Sequence, residues 1–288
     1  MFLLLLSLCA QAGVFLSPQE ASALLSAGAV ALDARGESDW KRAHLPSSAP
    51  LGWMGLRDGL LRVGRLTADA DRLREALQEV GVRQDGAVIV YDAGRDGWGE
   101  AGRIWWTLDY LGHSEVYILD GGLPAWISAG LATSSVSSPL PKGDFQPSPK
   151  EDRRAMLEEV ESAAQLCARG PCPTVFWDTR EAREFAGATP YGESRGGHIP
   201  GAVHLWIGDL TDSQGMLLPA ERLRSLLTTA GLPAPAEVDK EIVAYCTGGV
   251  RSGFAAAVLR ELGYDNVANY DGSMWEWSAD RSRPMAQP

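Results

Sequence analysis

Residues 242–253, which read Ile-Val-Ala-Tyr-Cys-Thr-Gly-Gly-Val-Arg-Ser-Gly, give the clearest indication of the fold class. The first four are apolar and mostly β-branched or aromatic, which is typical of a buried strand in a parallel sheet. Apolar residues at helical spacing follow over residues 255–262, and Gly263 provides a helix end. The order of strand, glycine-rich loop and helix predicts an α/β fold with a mainly parallel sheet.

This pattern occurs twice in the chain, because five segments of the first half recur in the same order in the second half. The paired segments are 30–35 with 175–180, 43–46 with 197–200, 88–92 with 242–246, 111–116 with 262–267, and 120–126 with 271–277. A repeat of this length indicates a duplicated domain rather than a solenoid unit. We therefore predict two tandem α/β domains, 13–132 and 151–288, each with a mainly parallel sheet flanked by helices. The Ser- and Pro-rich residues 133–150 predict an extended linker.

The composition is that of an ordinary globular protein, with 45% hydrophobic and 22% charged residues in a chain of 288. The net charge of −11 and the lack of a basic block argue against nucleic-acid binding. No His lies near a Cys at a metal-ligand spacing, so we predict no metal and no cofactor. We also expect a monomer that does not associate with membranes once its N-terminal segment is removed.

Residues 1–12 predict a short secretory signal peptide, because an apolar run is followed by the small-x-small sequence Ala10-Gln-Ala12. A periplasmic or secreted location is therefore expected. A cytoplasmic protein is the alternative, since no Lys or Arg precedes the run. Removal of the signal leaves Cys167, Cys172 and Cys246, and an odd count indicates one free thiol. In an oxidising compartment, Cys167 and Cys172 are expected to form a disulfide across their short Gly-Pro segment.

The loop after residues 242–245 predicts an anion-binding site that begins with a nucleophile. Gly248 and Gly249 permit tight curvature, which turns successive backbone N–H groups inward. The following helix N-terminus and Arg251 add positive charge. Cys246 at the mouth of the loop is expected to have a lowered pKa and to hold a persulfide that the same donors stabilise. A buried structural thiol is the alternative.

From residue 13 onward the chain resembles the tandem rhodanese family, the thiosulfate and 3-mercaptopyruvate sulfurtransferases. The motifs that carry the resemblance are Asp-Thr-Arg at 178–180, Gly-His-Ile-Pro-Gly-Ala at 197–202, the Cys246 loop, and Tyr-Asp-Gly-Ser-Met-Trp-Glu-Trp at 270–277. The resemblance implies two rhodanese domains with the active site between them and the catalytic Cys in the second. It also implies an inactive first domain. Asp92 stands there in place of the Cys, and a carboxylate cannot carry sulfane sulfur.

The resemblance also implies which residues bind the donor. The segment before His198 holds anion-binding arginines in family members, and Arg183 and Arg195 lie in this segment. The match there is loose, because Glu184 stands where some members carry an Arg. The predicted substrate-binding residues are Thr247, Gly248, Gly249, Val250, Arg251, Ser252, Arg183 and Arg195, and the predicted catalytic residue is Cys246.

Two further pairs of polar residues occur in both copies, which favours structural roles over catalytic ones. Asp178 and Arg180 have counterparts at residues 33 and 35, in the copy that lacks the Cys, so we predict ion pairs that fix a loop. His44 and His198 lie in matched His-x-Pro turns, so we predict hydrogen bonds within the core.

The sequence thus predicts a sulfurtransferase that moves sulfane sulfur from a small anionic donor to cyanide or a thiol through a Cys246 persulfide. Mercaptopyruvate enzymes typically have the loop Cys-Gly-Ser-Gly-Val-Thr, in which Gly248 and Arg251 here replace the Ser and the Thr. We expect the added cation to be available to a dianion, which favours thiosulfate, with 3-mercaptopyruvate as the alternative donor.

Two other classes of protein are disfavoured. Rhodanese-related phosphatases place five residues between Cys and Arg, whereas here four separate Cys246 from Arg251. The smaller loop suits a persulfide better than a phosphoryl group. A non-catalytic binding module is expected to have lost the Cys in both copies, and only the first copy has lost it.

Overall fold

The computed structural model describes residues 13–59, 63–235 and 241–287. The predicted signal peptide, residues 1–12, lies outside these ranges. The first half contains, in order, β1 (Phe15–Leu16), α1 (Pro18–Ser26), β2 (Val30–Asp33), α2 (Glu37–Arg42), β3 (Ser48–Pro50), α3 (Ala70–Glu79), β4 (Val88–Tyr91), α4 (Glu100–Tyr110), β5 (Val116–Leu119) and α5 (Gly122–Ser128). The second half contains α6 (Leu157–Cys167), β6 (Val175–Asp178), α7 (Ala182–Phe185), β7 (Val203–His204), α8 (Ala220–Thr229), β8 (Ile242–Tyr245), α9 (Val250–Glu261), β9 (Val267–Asn269) and α10 (Ser273–Trp277).

Each half forms its own parallel sheet, which confirms the predicted fold class. The strand order is β1-β5-β4-β2-β3 in the first sheet and β7-β6-β8-β9 in the second. All four residues of β4 and of β8 are buried, as their continuous apolar sequences predict. The two sheets also share their central register, since Asp33 pairs with Tyr91 and Asp178 pairs with Tyr245. The duplication seen in the sequence is therefore a structural duplication.

The two domains meet where α4 crosses α9, and two glycines make this crossing close. A Cβ on Gly102 would overlap the backbone of Phe254, and a Cβ on Gly253 would lie 2.9 Å from the Cα of Arg103. Because α4 and α9 each follow the loop after a central strand, this contact brings the Asp92 loop of the first domain toward the Cys246 loop of the second.

Residues 133–150, predicted as a linker, contain no helix or strand and are docked on the first domain. The Gly143 N–H donates to the Gln78 carbonyl at 2.8 Å, and the Ser148 N–H donates to the Leu111 carbonyl at 2.8 Å. Phe145 is fully buried in the first-domain core. The linker therefore contributes to the packing of the first domain.

The repeated polar residues have the structural roles predicted for them. Arg180 donates to Asp178 through Nε at 2.9 Å and through Nη2 at 2.7 Å, and Nη2 also donates to the Gly197 carbonyl. Arg35 makes the equivalent ion pair with Asp33 in the first domain. These pairs are buried or nearly so, and they hold the loop that follows β2 or β6.

The matched histidines make hydrogen bonds in the core, also as predicted. Nδ1 of His44 lies 2.7 Å from the Trp40 carbonyl, and Nδ1 of His198 lies 3.1 Å from the Phe185 carbonyl. Each ring also stacks on the aromatic residue to which it is bonded.

Cys167 and Cys172 form a disulfide, with their Cα atoms 4.2 Å apart, which confirms the predicted pairing. Cys246 is the free thiol of the described residues.

Among the described residues, no helix combines the length and the apolar character that crossing a bilayer requires.

Candidate active site

Cys246 lies at the carboxyl end of β8, where the chain turns into α9, and its side chain is enclosed by its own loop. The Sγ atom accepts the Gly249 N–H at 3.1 Å and lies 3.6 Å from the Ser252 hydroxyl. Gly249 has φ 77° and packs against Asp271, so a larger residue would be strained and would clash. The loop thus forms the predicted cradle, with the sulfur at its centre.

The surroundings of Cys246 favour the thiolate. Burial raises the pKa of the thiol, but the positive charge of Arg251 opposes this effect. Hydrogen bonds from Ser252 and from the Gly248 backbone lower it further, and the net result is a pKa below the ordinary value. A thiolate in this position is a sulfur nucleophile, and the same donors would face the outer sulfur of a persulfide.

The loop is braced by a buried ion pair. Arg251 donates to Glu184 through Nη1 at 2.6 Å and through Nη2 at 2.8 Å, and Nη2 also reaches Thr247 Oγ1 at 2.6 Å. Arg251 is 3% exposed and Glu184 is fully buried. Arg251 therefore does not offer an uncompensated charge to a dianion, and its role in binding the donor stays a prediction. A carboxylate from α7 neutralises that charge, and the guanidinium still acts on the nearby sulfur.

The two arginines predicted from the looser part of the resemblance lie elsewhere. Arg183 is exposed and pairs with Glu181. Arg195 donates to the backbone carbonyls of Ser278, Asp280 and Arg283. Neither side chain lines the cavity above Cys246, so their role in donor binding stays a prediction.

A cavity of about 260 Å³ opens above Cys246 between the two domains. Its lining comprises Trp53, Met54, Trp98, Glu100, Tyr191, Cys246, Thr247, Gly248, Val250, Arg251 and Trp275. Of the predicted loop residues, four besides the Cys reach this cavity, while Gly249 and Ser252 contact the sulfur within the loop. The walls are mainly apolar and include four aromatic side chains, and the first domain supplies part of them.

The first-domain loop repeats the cradle with a carboxylate at its centre. Asp92 accepts the Gly94 N–H at 2.8 Å and the Ala101 N–H at 3.0 Å. Burial raises the pKa of this carboxyl, and the two hydrogen bonds oppose that shift. A second cavity of about 310 Å³ adjoins this loop and shares Trp98 and Arg251 with the first. Because Cys246 does not line it, we place the chemistry in the smaller cavity.

Sequence reasoning missed several residues of the site. Trp275 lies within the quoted segment 270–277, and Trp98 within the Asp92 loop, so both could have been proposed as walls. Glu184 was noticed as a departure from the family, but its pairing with Arg251 depends on how α7 packs. Nothing in the sequence pointed to Trp53, which reaches the site only through the domain contact.

Within the described ranges, no group of three potential metal ligands occurs.

The fold and the site define a two-domain α/β protein in which Cys246, the free thiol of the described residues, lies in a cradle at the domain interface. The rhodanese-like domain model matches residues 17–129 and 159–280. The chain belongs to the rhodanese family, and it is a sulfurtransferase.

Three similar proteins illustrate the range of this family. A Pseudomonas aeruginosa protein named thiosulfate sulfurtransferase is 34% identical over 77% of this chain and 77% of its own length. A second protein from that organism, named as a probable 3-mercaptopyruvate sulfurtransferase, is 36% identical over 76% of this chain and 74% of its own. The crystal structure of SseA from Escherichia coli, a 3-mercaptopyruvate sulfotransferase with the rhodanese fold, superposes with a TM-score of 0.78 at 25% identity. The superposition covers 91% of this chain and 99% of the SseA chain.

Proposed function

We propose that this chain transfers the outer sulfur of thiosulfate to cyanide or a thiol through a persulfide on Cys246. The observation that carries this proposal is the position of Sγ, which accepts the Gly249 N–H and lies beside the Arg251 charge. Donors that stabilise a thiolate also stabilise the persulfide anion that replaces it.

The reaction consists of two displacements at sulfur. The Cys246 thiolate attacks the outer sulfur of thiosulfate and forms a sulfur–sulfur bond. The bond within thiosulfate breaks, and sulfite leaves with the electron pair. Cyanide or a thiolate then attacks the terminal sulfur of the persulfide, and the Cys246 thiolate is the leaving group. Atoms and charge balance in both steps.

The proposal is tested by mass spectrometry of the intact protein after incubation with thiosulfate alone. We expect the wild type to gain one sulfur, about 32 mass units, and to lose it when cyanide is added. Cys246→Ser should gain none and should show no turnover, while remaining folded. Turnover near the wild-type level in this variant would remove Cys246 from the mechanism. A folded wild type that never gains sulfur from any donor would instead support a non-catalytic binding module.

A second candidate donor is 3-mercaptopyruvate, which the names of the Pseudomonas aeruginosa relative and of SseA support. The neutralised charge of Arg251 also weakens the electrostatic case for a dianion. Steady-state turnover with each donor and cyanide separates the two candidates. A higher kcat/KM for 3-mercaptopyruvate would replace thiosulfate in the proposal.

We further propose that the protein is exported to the periplasm or secreted, and that it is a monomer. The apolar start of the sequence supports export, and so does the Cys167–Cys172 disulfide, because disulfides persist in oxidising compartments. Fractionation of cells and sedimentation of the purified protein test these two statements.

A further inference from the structure

Glu100, the first residue of α4, lines the cavity above Cys246 although it belongs to the first domain. Among the described residues of that lining, it alone carries a carboxylate. Its Oε2 atom accepts the Trp98 N–H at 2.7 Å, which fixes the side chain at the cavity wall. Burial raises the pKa of this carboxyl, and the neighbouring Asp92 charge raises it further.

The charges around the cavity do not favour a doubly negative donor. Arg251 is the cation of the lining, and the buried Glu184 neutralises it. A second buried carboxylate, Glu193, lies 3.4 Å from the Thr247 hydroxyl. A dianion that enters would thus meet the charges of Glu100 and the Cys246 thiolate at the cavity wall, where the lining arginine is already paired with Glu184.

The remaining walls suit an apolar group. Trp53, Trp98 and Trp275 face the cavity together with Met54 and Tyr191. Indole rings and a thioether provide contact area for an aryl or alkyl substituent. They provide little stabilisation for the two negative charges of thiosulfate. The charges and the apolar walls of the cavity therefore both favour a donor that has one negative charge and an apolar group.

We propose that Glu100 determines donor specificity, so that the site favours singly charged organic thiosulfonates, which carry an apolar group, over dianionic thiosulfate. This inference rests on the proposed function and refines its donor. The step is balanced, because the Cys246 thiolate takes the outer sulfur of the thiosulfonate. The bond between the two sulfurs of the donor breaks, and a sulfinate leaves with the electron pair.

The test compares thiosulfate with benzenethiosulfonate, using cyanide as acceptor at low ionic strength, in the wild type and in Glu100→Gln. Glutamine keeps an oxygen for the Trp98 N–H and removes the charge. The substitution removes one negative charge within several ångströms of the bound donor. It should therefore raise kcat/KM for thiosulfate relative to benzenethiosulfonate by roughly fivefold or more. The exposed Glu221, in the first turn of α8, provides a matched control, because Glu221→Gln changes the net charge equally and should leave the ratio unchanged.

The pH dependence of this ratio is a second readout that a merely structural role would not alter. The ionisation of Cys246 affects both donors and cancels in the ratio. In the wild type, the ratio of thiosulfate to benzenethiosulfonate use should fall as rising pH ionises Glu100. In Glu100→Gln this fall should disappear, since Asp92, Glu184, Glu193, Tyr191 and Arg251 remain in place.

The possible failures are distinguishable. A wild type that takes sulfur from both donors, with the same ratio in Glu100→Gln, overturns this inference alone. A wild type that takes sulfur from neither donor overturns the proposed function and this inference with it. If Glu100→Gln lowers turnover of both donors equally, Glu100 supports the loop and does not select the donor.

Discussion

Arg251 and Glu184 form a bidentate ion pair beneath the Cys246 loop, with N–O distances of 2.6 and 2.8 Å. Their side chains are 4% and 0% exposed. The pair joins α9, which follows the nucleophile, to α7, which follows the neighbouring strand β6. Burial raises the pKa of the Glu184 carboxyl, but Arg251 more than compensates, so the net pKa is lowered and the carboxylate is ionised.

Glu184→Gln should destabilise the protein by about 3–5 kcal/mol, because it leaves a buried guanidinium without its counter-charge. Denaturation by urea, followed by circular dichroism, measures this loss. The control is Glu181→Gln, which removes the pair with the exposed Arg183 and should change the free energy of unfolding far less. Equal stability of the two variants would show that the buried pair contributes no more than an exposed one.

The Cys246 thiol should titrate below its ordinary pKa of about 8.5. Burial acts against this shift, and the charge of Arg251 with the hydrogen bonds of the loop outweighs it. The thiolate should therefore persist to a lower pH than that of an ordinary cysteine and be lost as pH falls through the lowered value. Ultraviolet absorbance of the thiolate, with Cys246→Ser as the blank, measures the midpoint. Arg251→Met should move the midpoint upward, and an unchanged midpoint would contradict the electrostatic role of Arg251.

The fold and the nucleophile could be predicted from the sequence because both depend on local signals. The apolar run at residues 242–245, the glycines at 248 and 249 and the duplicated order of segments are each visible within a short stretch. The loop geometry follows from these residues and requires no distant contact. The same holds for Asp178 and Arg180, which lie two residues apart and pair directly.

The charge balance of the site could not be predicted, because it depends on contacts between residues distant in sequence. Glu184 reaches Arg251 only through the packing of α7 against the loop. Glu100 lies on α4, which glycines allow to cross α9 closely, and Trp53 reaches the cavity from a separate segment of the first domain. Sequence reasoning therefore identified the cation at residue 251 and missed the carboxylate that neutralises it.

Asp271 connects the two domains at a buried cluster. It accepts the Leu66 N–H of the first domain at 2.7 Å and pairs with Arg154 at 3.1 Å. Arg103 of α4 lies 3.7 Å from it, and both side chains are at most 2% exposed. Burial lowers the pKa of the Arg103 guanidinium to about 10, and the Asp271 charge opposes that shift. One carboxylate thus compensates two buried guanidinium groups.

Asp271→Asn should destabilise the protein by about 3–5 kcal/mol, since it leaves two buried cations without an anion. We also expect the two domains to unfold less cooperatively, because the cluster ties them together. Differential scanning calorimetry measures both effects. Asp265→Asn is the control, because the Asp265 carboxylate is fully exposed in its pair with Arg260 and its loss should leave the unfolding transition nearly unchanged. A single, unshifted transition in Asp271→Asn would mean that the cluster does not couple the domains.

The Cys167–Cys172 disulfide and the proposed export together predict how many thiols the protein exposes after unfolding. With this bond formed and residues 1–12 removed, Cys246 is the one remaining thiol. Titration of unfolded, non-reduced protein from the periplasm should therefore give one thiol per chain, and reduction should raise the count to three. Cys246→Ser provides the control, since it should give none before reduction. Three thiols before reduction would show that the bond does not form in the cell. Two would show that Cys9, and with it the N-terminal segment, is retained.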